Sequence, residues 1–111
     1  PKAADEAYRI SNTAAGNMPA IKLVRIEYLL NSGLWEQHAA EMEKTLAYLR
    51  THASRQPSVW IAEGMYRLFL NDADRALKAV ALGMALPAAG DYKPQFYAIL
   101  ENLNIEPEKD T

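Results

Sequence analysis

Three prolines, Pro19, Pro57 and Pro94, recur at intervals of 38 and 37 residues. Each opens a similar apolar run: PAIKLV, PSVWIA and PQFYAI. Proline suits the first turn of a helix, where its missing N–H has no intrahelical acceptor to lose and its fixed φ is already helical. A period between about 20 and 50 residues marks stacked supersecondary units rather than one closed globule. The spacing therefore constrains the fold to short helical units laid side by side, and such units build extended surfaces.

The stretches between the prolines supply the rest of an all-α chain. Residues 3–15 read as an alanine-rich helix closed by Gly16, so residues 3–16 form a partial leading helix. Residues 19–31 are the next helix, broken by Ser32 and Gly33. Residues 34–53 give the longest predicted helix, with Trp35, Ala39, Met42, Leu46, Leu49 and Ala53 recurring every three or four residues along one face. Residues 57–70 are apolar on nearly every side, as expected of a helix packed between neighbours. Asn71 makes a turn, and Asp72 is placed to cap a helix over 73–86. Residues 87–91 (PAAGD) read as a loop before a last helix over 94–104, within a terminal segment 94–105. Strand-like alternation is missing, and the expected architecture is about six helices in a single domain spanning 1–111.

Half of the residues are hydrophobic, enough for a continuous core, so disorder is excluded. A formal charge of −2 with dispersed Lys and Arg argues against nucleic acid as a partner, since phosphate binding needs a basic groove. The absence of cysteine excludes disulfides, thiolate metal sites and cysteine nucleophiles, and leaves the compartment open. No apolar run approaches the roughly 18 residues of a spanning helix, so membrane insertion is not expected. A chain that opens on Pro1 is expected to be a piece of a longer protein.

Candidate chemistry is sparse. His38 and Glu41 stand at i, i+3, within reach of one metal ion. His52 lies two heptads on, about 20 Å away at 1.5 Å per residue, and cannot join them. Both histidines are expected to face solvent beside the Trp35–Met42–Leu49 stripe. The carboxylate pairs Glu41/Glu43, Asp72/Asp74 and Glu106/Glu108 are better explained as caps and surface charge. Phosphate-loop, nucleophile-elbow and HExxH patterns are absent. The chain is read as non-catalytic, with no cofactor or metal implied. Tyr28, Trp35, Trp60, Phe69 and Phe96 fall at core-type spacing, so packing explains the aromatics before stacking on a ligand does.

Residues 57–87 resemble a tetratricopeptide repeat, a helix–turn–helix unit of about 34 residues. With Pro57 first, Trp60 matches the aromatic of the fourth position and Gly64 the small residue of the eighth. Asn71 takes the turn position usually held by glycine, and Ala76 the small residue of the twentieth. Val80 and Gly83 match the twenty-fourth and twenty-seventh. Glu63 and Arg67 depart from the pattern, standing where a leucine and an aromatic are expected. Residues 19–53 resemble a degenerate repeat with Gly33 as its turn glycine and with either His38 or Ala39 as its small residue. Residues 94–105 resemble a terminal capping helix, and Ala7 and Ala14 a preceding, truncated unit.

The resemblance implies antiparallel helix–turn–helix repeats stacked as a short right-handed α-solenoid, with Gly33, Trp60, Gly64, Ala76, Val80 and Gly83 as the repeat-packing residues. It also implies a concave groove lined by the first helix of each unit. Carried over, the lining is Ser58, Ile61, Met65 and Leu68 in the second unit, and Ala20, Leu23, Glu27 and Leu30 in the first. Of these, Leu23, Glu27, Leu30, Ile61, Met65 and Leu68 are the expected partner-binding residues. Such a groove suits an amphipathic or apolar segment of a partner protein. Alternatively, the chain's own helices or neighbouring repeats cover it. The functional expectation is a protein-interaction module, a scaffold or chaperone of a larger assembly. A competing expectation is homodimerisation through the end helices, with Leu100, Leu103 and Ile105 as the seam.

Overall fold

A computed structural model describes residues 18–104 of the chain. The predicted leading helix, with Ala7 and Ala14, lies outside the described residues, as does Ile105. Among the described residues every regular element is helical. The chain divides into two compact units at the Ser54/Arg55 junction, inside the loop that separates the first two sequence units.

In the first unit, α1 (Pro19–Ser32) starts with Pro19 at its first position. It ends on Gly33, whose φ of 78° is a left-handed conformation that costs glycine nothing. Helix α2 (Ala39–His52) pairs with it. The seam is made by Ile26, Leu29 and Leu30 of α1 against Met42, Leu46 and Leu49 of α2, all but Leu30 wholly closed to solvent. At 25 cal/mol per Å², each such side chain contributes roughly 1.5–3 kcal/mol.

The predicted helix over 34–53 is corrected to a start at Ala39. Residues 33–38 form turns, closed in part by the His38 N–H on the Trp35 carbonyl at 3.3 Å. His38 adopts φ −116° and ψ 31°, outside the helical region, and its carbonyl accepts the Met42 N–H at 2.9 Å. The apolar stripe therefore begins to be buried at Met42. Ala39 stays exposed and Trp35 half-buried, so neither holds the helix open toward Gly33.

The second unit holds α3 (Pro57–Phe69), α4 (Ala73–Met84), a 3-10 segment (Pro87–Tyr92) and α5 (Lys93–Asn102). Helices α3 and α4 form a hairpin whose corner is a Schellman closure. The Asn71 N–H bonds the Leu68 carbonyl at 3.0 Å, and the Asp72 N–H bonds the Arg67 carbonyl at 2.8 Å, with Asn71 at φ 59°. Asp72 then caps α4, its Oδ1 accepting the Arg75 N–H at 3.2 Å.

Helix α5 packs against both, and Val80, Phe96, Ile99 and Leu100 close the core. Two glycines permit the approach. A methyl at Gly64 would stand 3.1 Å from Ile99 Cδ1 and 3.7 Å from Ala79 Cβ. A methyl at Gly83 would overlap the Phe96 ring and lie 2.8 Å from Trp60 Cβ. The PAAGD stretch, predicted as loop, is the 3-10 segment: Pro87 presets its first turn and Ala89 is buried. Consequently α5 begins at Lys93, one residue before Pro94, and ends at Asn102.

Candidate functional site

Helix α3 buries two charged side chains and leaves part of its apolar surface within reach of water. On one side Val59, Ala62, Glu63, Tyr66 and Arg67 are buried. Ser58, Ile61, Met65 and Leu68 are half-buried on another, and Phe69 at the helix end is 37% exposed. At 100° per residue Ile61, Met65 and Leu68 span about 60° of the helix, so they form one continuous strip. Ile61 and Met65 lean on the Val80–Phe96–Ile99–Leu100 core with part of their surface, which leaves only their outer edges open. Phe69 departs from its core-type spacing: it is the last residue of α3, just before the Asn71 turn, and keeps 37% of its surface exposed.

The first unit's expected lining residues behave unequally. Leu30, at 5% exposure, belongs to the α1–α2 seam and offers a partner nothing. Leu23 is half-buried and Glu27 exposed. Although Glu27 keeps much of its surface in water, its carboxyl is partly desolvated, which disfavours the charged form and raises it above its ordinary value.

Among the residues assigned to repeat packing, Gly64, Ala76, Val80 and Gly83 are buried between helices and Trp60 flanks Gly83. Gly33 is different. Nothing lies within 4 Å of where its Cβ would stand, so its role is the left-handed turn, not contact. The expected dimer seam also changes: Leu100 is buried in the chain's own core, and Leu103 is half-buried beside it.

Among the described residues, a buried ion pair and a half-buried interhelical one escaped the sequence reading. Arg67 Nε meets Glu63 Oε2 at 2.8 Å with side-chain exposures of 3% and 8%, and the guanidinium lies 5.1 Å from the Tyr66 ring centroid. Burial gives the two charges a reason to occur together, since each places an opposite charge at hydrogen-bond distance from the other. A glutamate four residues before an arginine, inside an otherwise apolar helix, was the available signal.

The other pair bridges α1 and α2. Arg25 Nε and a second guanidinium nitrogen hold the two Glu41 oxygens at 2.8 and 3.2 Å. His38 Nδ1 stands 3.5 Å from the same carboxylate, so the His38/Glu41 pairing serves an interhelical clamp. His52 is exposed and stacks on Tyr48 at 4.3 Å, with Lys22 Nζ 5.0 Å from that ring's centroid. Among the described residues no three His, Cys, Asp or Glu side chains converge to hold a metal ion. Nor is any described helix long and apolar enough to cross a membrane.

Comparison with protein-family models, with curated proteins and with solved structures finds no significant match.

Proposed function

We propose that the chain is a non-catalytic protein-interaction module, tetratricopeptide-like in its stacking, that holds an amphipathic or apolar segment of a partner protein on the outer edge of α3. The right-handed solenoid and the role as scaffold or chaperone belong to this proposal. The observation that carries it is the uncharged strip Ile61–Met65–Leu68, half-open along one side of α3 and continuous with the exposed Phe69 ring. A side chain left open beside a closed core is ready to bury further area at about 25 cal/mol per Å². Met65 adds a thioether that adapts to irregular partner surfaces. Met65, Leu68 and Phe69 are the proposed contact residues, since Leu30 is already buried.

The second reading, homodimerisation, draws on Tyr97, 38% exposed on α5, and on Leu103, half-open near its end. Sedimentation velocity between micromolar and millimolar protein separates the two. A monomer throughout supports partner binding. A tight dimer that Phe69→Glu leaves intact and Tyr97→Glu dissolves replaces the proposal with the second reading.

A further inference from the structure

We draw no further inference here: the strongest candidate, the apolar side of α3 carried by Ile61, Met65, Leu68 and Phe69, belongs to the site already described, and nothing in the structure shows what further ligand or segment covers it.

Discussion

Replacing Glu63 by alanine removes one half of a buried ion pair and leaves the other half in place. Arg67 is 3% exposed, and its Nε–Oε2 contact with Glu63 is 2.8 Å. An exposed i, i+4 pair on a helix contributes only about 0.3–0.5 kcal/mol. Burial changes the magnitude: at an effective dielectric of about 20, unit charges 4 Å apart interact by ~4 kcal/mol. Removing one partner of a buried ion pair costs roughly 3–5 kcal/mol. Against a total domain stability of about 5–15 kcal/mol, that is roughly a fifth or more.

Glu63→Ala is therefore expected to lower the urea midpoint by several kcal/mol equivalent, followed by far-UV circular dichroism. Arg67→Ala is expected to do the same, and the double variant to lose less than the sum by about 2 kcal/mol or more. Glu63→Leu with Arg67→Met, which restores an apolar pair of similar volume, should fall near wild type or above it. A Glu63→Ala loss under 1 kcal/mol, or strictly additive single variants, would show that the pair is solvated and refute the reasoning.

Two glycines on facing helices should respond very differently to alanine. Alanine at Gly83 must displace Trp60 Cβ and the Phe96 ring and is expected to cost about 1–3 kcal/mol net, whereas alanine at Gly64 comes tight only against the end of the Ile99 side chain and meets Ala79 Cβ at ordinary contact distance. There the gain in helix propensity of about 1 kcal/mol offsets the strain, so thermal melts should separate the two variants clearly. At Glu27, burial raises the carboxyl's folded value above its unfolded one. The stability of the neutral form is thus complete below the unfolded value and lost as pH rises through the folded one. Glu27→Gln should melt higher than wild type at pH 7 and match it below about pH 4; a variant that melts lower at pH 7 contradicts the assignment.

Much of this fold was legible because local and global signals agree. Pro19 and Pro57 open helices, Gly33 and Asn71 take positive φ, and Asp72 caps α4 as its side chain predicts. The small residues Gly64, Ala76 and Gly83 are all buried, and at Gly83 not even a methyl fits between Phe96 and Trp60.

What failed was non-local. The stripe from Trp35 to Ala53 has helical spacing throughout, yet nothing in that spacing says that packing begins at Met42 and that His38 leaves the helical region. Arg25 and Glu41 are 16 positions apart on different helices, and only the α1–α2 pairing brings them together. Whether a lining residue is open depends likewise on its neighbours. Leu30 and Leu68 each stand eleven residues after a helix-opening proline, but Leu30 is buried while Leu68 keeps an open edge.

The proposal that the α3 edge is a binding surface is tested most directly by site-specific photo-crosslinking in lysate of the source cells. A photoreactive phenylalanine analogue is placed at Phe69, with a control at exposed Asp74 on α4. The account predicts a discrete heterologous adduct from position 69 that is absent from position 74 and abolished by Leu68→Glu, with far-UV circular dichroism unchanged. Equal labelling from both positions, or no adduct other than the chain with itself, would contradict it.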